Sequence, residues 1–425
     1  MKPSLHFAFI APPFTSHVRA LEALAGGLLD HGHRVSWIHQ TDVGELLTNR
    51  RIAFHAVGLA ERPRGSLRGL VERAARPGGP WGLRRVIADV ASGTDLLCRE
   101  APAVLEAAGV DVIVADQMEA AGGLLAEGLR LPFVSVACAL PVNREDRIPL
   151  PVMPWGYASD ERGLRLNEGS SRVYDWLMEP HARVIRAQAA RFGLEGRQSL
   201  ADCLSPLLQI SQTTTGFDFS RPAAPAHFHA VGPLRAARAA EVPLALSLDA
   251  ARPFVFASLG TLQGGRFGLF RRIAHACRAE ELQLLIAHCD RLAPPQADAL
   301  LRHGATAVTG FAPQRAALAR ADLVVTHAGL NTAMDALEAG TPQLALPIAF
   351  DQPGVAARLV HAGTGLRLLP PLAGEKALRR AMRRLLDEPA FATRSAALGR
   401  EIAQAGGVAR AVGLIESALK VSPHD

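Results

Sequence analysis

Residues 311–352 read FAPQRAALARADLVVTHAGLNTAMDALEAGTPQLALPIAFDQ, and this run ties the chain to an open α/β sheet more firmly than any other. Gln314 to Leu318 has a helical period, and Leu323-Val324-Val325-Thr326 is a short buried β run. A tight His327-Ala328-Gly329 turn then leads into a helix from Leu330 to Ala339 that stops at Gly340. Leu344 to Leu346 returns as a second strand and enters a loop carrying Asp351 and Gln352. Strand, glycine turn and helix N-terminus together make an anion seat, because backbone N–H groups and the helix dipole point at its occupant. Asn331 and Thr332 in the first turn, with His327 at the strand end, add side-chain donors, so the run reads as a diphosphate seat. No Walker loop occurs. Gly363-Thr364-Gly365 lacks a third glycine and precedes a strand, so it is not a dinucleotide fingerprint.

The same alternation runs through the rest of the chain. Leu5 to Ile10 is a buried-strand run, followed by a loop to His17, a helix to Asp30 with Gly32 after it, and a strand Arg34 to His39. This β-α-β unit implies a parallel sheet with a right-handed crossover. Further strands are expected near 52–57, 111–116, 131–137 and 207–212, with helices over 86–108, 118–129 and 173–192. The opening pattern then recurs: a strand Phe254 to Ser258, a glycine loop, a helix Phe267 to Ala279 and a strand Leu282 to Ala287. The expected architecture is two Rossmann-like, doubly wound domains, 1–234 and 252–405, joined by a linker at 235–251. The helices near the end are expected over 376–386, 391–405 and 408–419. Ligands in such sheets sit outside the carboxyl ends of the strands, which puts the site in the cleft between domains.

Composition narrows the function. With 425 residues, 49% apolar and 20% charged, the chain has room for two cores. No uncharged apolar run is long enough for a spanning helix, and the N-terminus reads as a strand rather than a signal peptide. Five scattered cysteines without a C-x-x-C pair fit reduced thiols in a cytoplasmic protein and no zinc site. His31-Gly32-His33 and His227-Phe228-His229 read as a turn and a strand, so no metal is expected. Scarce aromatics and no recognition motif argue against nucleic acid despite the net charge of +6.

His17 follows the first strand and Asp116 ends another, so both emerge at one sheet edge. A histidine there can take a proton from an attacking hydroxyl, and a carboxylate can fix its tautomer. The alternatives are a loop or capping histidine and a helix N-cap aspartate. Ser258, Gly260, Thr261 and Gly264-Gly265 form a loop whose small residues let N–H groups approach a phosphate. Phe14, Thr15, Trp81, Cys138, Leu140 and Pro141 follow strand ends or interrupt apolar loops and are the candidates for an acceptor pocket. Arg62 to Arg85 holds seven arginines interleaved with Leu67, Leu70, Val71, Trp81 and Leu83. It suits either peripheral contact with the anionic inner face of the cytoplasmic membrane or a solvated surface.

The 311–352 run resembles the donor signature of the UDP-glycosyltransferase family, whose fold is GT-B: an aromatic-Ala-Pro-Gln start, a His-x-Gly-x-Asn-Ser/Thr centre and an Asp-Gln end. The resemblance implies Phe311 stacked on the base in place of the usual tryptophan, Ala312 bonding the base through its backbone and Gln314 at the ribose. It also implies His327, Gly329, Asn331 and Thr332 at the diphosphate, Asp335 at the ribose in place of glutamate, and Asp351 with Gln352 on the sugar. Phe311 and Asp335 leave both UDP and dTDP donors open. The family implies a His17–Asp116 base pair, inversion at the anomeric carbon, a final helix (406–425) crossing back to the first domain, and no cofactor beyond UDP-glucose as co-substrate. IAPPFTSHVRALEAL, VADQMEAAG, LPFVSVACALPVNRE, VYDWLM, FASLGTLQG and LPIAFDQPGVAARLV are similar to the carotenoid-glucosylating branch of the family. That branch implies an apolar carotenoid acceptor, zeaxanthin, and mono- and diglucosides. The alternatives are a relative acting on another apolar alcohol (sterol, macrolide or flavonoid), a non-catalytic lipid or carotenoid carrier, or a nucleotide-sugar epimerase.

Overall fold

The computed structural model describes residues 4–236 and 242–421. Its first sheet comprises β1 (His6–Ile10), β2 (Arg34–His39), β3 (Ala53–Ala56), β4 (Val112–Asp116), β5 (Phe133–Ala137), β6 (Leu208–Ser211) and β7 (Phe228–Ala230). The order is β3-β2-β1-β4-β5-β6-β7, with every pairing parallel. Helices α1 (Thr15–Asp30), α2 (Ser66–Ala75), α3 (Pro80–Ala108), α4 (Ala121–Gly128) and α5 (Glu161–Arg191) cover its faces.

The second sheet comprises β8 (Phe254–Ser258), β9 (Gln283–Ala287), β10 (Ala307–Thr309), β11 (Leu323–Thr326), β12 (Gln343–Ala345) and β13 (Gly365–Arg367), in the order β10-β9-β8-β11-β12-β13, again parallel. Its helices are α6 (Gly260–Gln263), α7 (Phe267–Ala279), α8 (Pro294–His303), α9 (Gln314–Arg320), α10 (Leu330–Glu338), α11 (Gln352–His361), α12 (Glu375–Asp387), α13 (Pro389–Gln404) and α14 (Gly407–Val421). In each sheet the winding reverses beside the first strand, between β1 and β4 and between β8 and β11. Those are the crevices where the catalytic candidates and the candidate diphosphate seat lie.

Central strands such as β1, β4, β5, β8 and β11 are buried along their whole length, because helices cover both faces and no polar alternation is needed. An apolar cluster bridges the domains, where Leu140 and Phe217 pack against Ala328, Leu330 and Val355. Helix α14 returns to the first domain, burying Val412 and Ile415 in its core. Gly27 makes that crossing close: a Cβ there would lie 2.5 Å from Val408. His31 and His33 on the following turn both reach Glu416 of α14, at 3.0 and 3.3 Å.

Three local expectations are corrected. Helix α3 starts at Pro80 rather than 86, with proline in its first turn where no N–H is needed. Helix α5 starts at Glu161 rather than 173; Asp160 caps it by accepting the Gly163 N–H at 2.8 Å. Asp351 and Gln352, expected in a loop, stand at the N-cap and first residue of α11. Part of the expected 235–251 linker, residues 237–241, lies outside the described residues, while Leu244, Leu246 and Leu248 pack on the second domain. Among the described residues no helix is long and apolar enough to cross a membrane.

Candidate active site

Strand β4 ends at Asp116, and α1 carries His17 in its first turn, so the two side chains meet across the β1/β4 crevice. The Asp116 carboxylate accepts the His17 Nδ1–H at 2.6 Å. Asp116 is fully buried, and its other oxygen accepts the Met118 N–H at 2.8 Å, which fixes the carboxylate's rotation. Nδ1 is therefore the protonated nitrogen of the neutral ring, and Nε2, without a partner among the described residues, is the basic one. Burial pulls the imidazole's pKa down, but the charge and hydrogen bond of Asp116 and the charge of Asp351 outweigh it and hold it above 6.5. Cys138 completes a group whose ligand-type atoms lie within 4.8 Å of one another. Burial pushes its thiol well up, and the neighbouring Asp116 charge adds to that, so it is a neutral thiol rather than a thiolate.

Beneath this pair is a buried cluster that the sequence did not flag. Glu119 accepts from Thr94 Oγ1 at 2.7 Å and from the Ala121 N–H at 3.1 Å, and Thr94 also meets His181 Nε2 at 3.1 Å. Burial pushes the Glu119 carboxyl up to about 7, against the two hydrogen bonds and with help from the Asp116 charge. No spacing rule points to it, since its partners come from α3 and α5.

On the donor side, His327 sits between two glycines. A Cβ on Gly260 (φ +71°) would lie 2.6 Å from its ring, and one on Gly329 would lie 2.5 Å from it. The preceding turn holds Ala328 at φ +64°, with its N–H donated to Thr326 Oγ1 at 3.2 Å. Burial lowers the His327 pKa to about 4, so at neutral pH this ring offers a neutral N–H rather than a charge. Thr332 is buried in the first turn of α10, and Asn331 beside it bridges the cleft, donating to Ser16 O at 3.2 Å and accepting from Gln212 at 3.3 Å. Gly260 N–H approaches Ser258 Oγ at 3.4 Å, and the Thr261 carbonyl accepts from Arg291 at 2.9 Å.

Asp335 and Gln314 are joined to each other, with Gln314 Nε2 donating at 2.7 Å. Arg235, from the crossover between domains, occupies the other Asp335 oxygen at 2.7 Å and also donates to Asn331 O at 3.1 Å. Sequence reasoning missed Arg235 entirely. Asp351 accepts the Leu140 N–H at 3.2 Å across the cleft, and burial raises its pKa. The Gln352 side-chain Oε1 closes the preceding turn, accepting the Ile348 and Ala349 N–H groups at 2.8 and 2.9 Å. Phe311 is 65% exposed beside the partly buried Ala312, leaving its ring open to a planar partner.

The acceptor candidates divide. Phe14, before Thr15 at the head of α1, places its ring 6.2 Å from His17 and 6.2 Å from Phe350 of the other domain. Cys138 lies beside the His–Asp pair. Leu140 and Pro141 are both buried, Leu140 within the apolar cluster between domains with its N–H on Asp351. Trp81, 77% exposed, projects from the head of α3. Within the 62–85 stretch, read as either a membrane contact or a solvated surface, Leu67 and Leu70 are buried in the core of the first domain, while Arg64, Arg68 and Arg73 pair with Glu45, Glu72 and Asp89.

Solved structures with the same arrangement include the calicheamicin glycosyltransferase CalG4, at TM-score 0.76 over all of both chains and 20% identity. Another is the glycotransferase of kitacinnamycin, at 0.76 over 98% of this chain and all of that one, also 20% identical. Two facing parallel Rossmann-like sheets of this kind make a GT-B fold. A family model described as erythromycin biosynthesis protein CIII-like, C-terminal domain, matches residues 286–412. The zeaxanthin glucosyltransferase of Pantoea ananas is 48% identical over 97% of this chain and 96% of its own length, and that of Pseudescherichia vulneris 45% over 97% and 98%. The chain belongs to the zeaxanthin glucosyltransferase family and is a GT-B glycosyltransferase.

Proposed function

We propose that the protein transfers glucose from UDP-glucose to the ring hydroxyls of zeaxanthin, giving mono- and diglucosides with inversion at the anomeric carbon. The observation that carries this reading is the 2.6 Å His17–Asp116 bond at the crevice facing the donor domain, in a chain whose near-full-length relatives bear the zeaxanthin glucosyltransferase name. In the proposed step the acceptor oxygen attacks the anomeric carbon as the bond from that carbon to the diphosphate oxygen breaks, and the hydroxyl proton passes to His17 Nε2. Asp116 stabilises the resulting imidazolium and holds the ring in the tautomer that leaves Nε2 basic. The departing UDP's charge is met by the N-terminus of α10 with Thr332 and by the neutral His327 N–H. Phe311 and Ala312 would hold the base, Gln314 and Asp335 the ribose, and Asp351 with Gln352 the sugar. For Asn331 and Asp351 this requires exchanging their present contacts with Ser16 and Leu140 for donor phosphates and hydroxyls, while Asp335 keeps Arg235 and shares its carboxylate with the ribose. The reading invokes no metal.

The test is to incubate the purified protein with UDP-glucose or dTDP-glucose and zeaxanthin in detergent, alongside His17→Ala, and to detect glucosides by chromatography and mass. UDP-dependent product that falls about 1000-fold or more in the variant supports donor, acceptor and base together. Nucleotide release without a carotenoid glucoside would reject the acceptor, and preference for dTDP-glucose would reject the donor.

A further inference from the structure

Helices α3 and α5 run side by side in the same direction. Thr94 meets His181, Asp95 accepts from Gln188, and the Cys98 carbonyl accepts from Arg191. Because α3 leads into β4, its head stands at the sheet edge where β4 ends at Asp116. Helix α5 extends further past that edge, and its first half is tied to the loop after β5: Trp155 Nε1 donates to Asn167 Oδ1 at 2.9 Å, and Arg144 pairs with Asp175.

On this projecting end the apolar side chains face outward. Trp176 is 62% exposed and Val173 57%, with Leu166 seven residues before Val173 on the same helical stripe. Trp81 and Leu83 stand exposed at the head of α3, and the Arg84 guanidinium lies 5.3 Å over the Trp176 ring, which joins the two helices into one patch. Arg85, Arg162 and Arg183 are exposed on the same two helices with no carboxylate partner among the described residues, whereas Glu161, Glu168, Asp175 and Glu179 of α5 are each paired with an arginine. Indole rings and aliphatic side chains ringed by unpaired guanidinium groups match an anionic bilayer interface in both polarity and charge. We propose that the heads of α3 and α5 form a docking surface for an anionic membrane. This moves the lipid contact away from α2, whose leucines are in the core. It also rests on the apolar acceptor proposed above, since docking at the edge that carries His17 and Asp116 would bring the cleft to the place where such an acceptor dissolves.

The test needs neither substrate. The full-length protein is mixed with vesicles of phosphatidylcholine alone or with phosphatidylglycerol, and binding is read by co-sedimentation and tryptophan emission. Binding to the phosphatidylglycerol vesicles, weakened by salt and by about tenfold or more in Val173→Ser/Trp176→Ser or in Arg85→Glu/Arg162→Glu, is the expected result. Turnover in detergent by these variants is expected to stay within about twofold of the parent, because all four side chains lie on the surface. No preference for anionic vesicles, or binding unaffected by both variants, would overturn the proposal. So would a shift in oligomeric state that the serine variant abolishes without vesicles, which would assign the face to a second copy of the chain. Vesicle binding that persists when zeaxanthin is not turned over would leave the docking surface standing and reject only the acceptor.

Discussion

Asp116→Asn tests the proposed proton path with almost no change of volume. The Met118 N–H sits 2.8 Å from one Asp116 oxygen, so the amide carbonyl will take that position and its NH2 will face His17 Nδ1. Nδ1 must then accept, the ring proton moves to Nε2, and the ring loses the lone pair that receives the acceptor's proton. The wrong tautomer, together with loss of the buried charge that stabilises the imidazolium, is expected to lower kcat by about 10³–10⁴, or about 4–5 kcal/mol on the barrier. The pH profile supplies a second readout. With Asp116 ionised, the imidazole's pKa is held above 6.5 against burial; without it, burial prevails and the pKa falls. The acid limb of kcat/KM should therefore move to lower pH while its plateau drops. Glucoside formation followed by chromatography from about pH 5 to 9 measures both. A variant that keeps more than about a tenth of kcat, or whose acid limb moves upward, would refute the tautomer argument.

Three further changes address other parts of the site. Arg235→Ala removes a charged hydrogen bond that positions Asp335, and should raise the KM for UDP-glucose about tenfold with kcat little changed; steady-state kinetics separates the two. Gly260→Ala places a Cβ 2.6 Å from the His327 ring at φ +71°, so it should destabilise the fold by about 1–3 kcal/mol and weaken donor affinity, read by denaturant unfolding and UDP titration. Glu119→Gln should stabilise the protein above pH 7 but not near pH 4. A carboxyl raised to about 7 in the fold holds a proton that the unfolded chain releases near 4.5, so native stability drains as pH rises between those values. The loss is on the order of 3 kcal/mol by pH 8, visible as the difference between parent and variant melting temperatures across pH.

The fold class was legible because the constraint repeats. A fully apolar strand, a small-residue loop and an amphipathic helix occur at His6 and again at Phe254. Elements whose buried face dominates, such as β2, α7 and β11, begin and end where their pattern does. The heads of α3 and α5 were not legible for the opposite reason. Residues 161–172 are polar, carry two glycines and expose most of their surface, so periodicity gives no signal. What holds that turn-rich sequence helical is the Asp160 cap, the Arg144–Asp175 pair and the Asn167–Trp155 bond. A capping aspartate alone was too common a feature to mark the start.

The juxtaposition of His17 with Asp116 was legible for a topological reason: adjacent parallel strands deliver their carboxyl ends to one edge, so the helix start that follows β1 and the last residue of β4 emerge at the same crevice. Nothing comparable predicts Arg235. It meets Asp335 because the chain leaves the first domain against α10 of the second, a contact set by tertiary packing rather than local pattern. The shorter aspartate at 335 acquires a consequence from this. Gln314 and Arg235 occupy one oxygen each, so a ribose must displace one partner or share with both. Sharing favours the arginine as the retained partner, since its guanidinium can swing toward the incoming diphosphate while one N–H still fixes the carboxylate. Arg235→Lys keeps the charge but not the fork, and should therefore lose most of the affinity that Arg235→Ala loses. Recovery to within about twofold of the parent KM would show that charge alone suffices and that Asp335 needs no bidentate support.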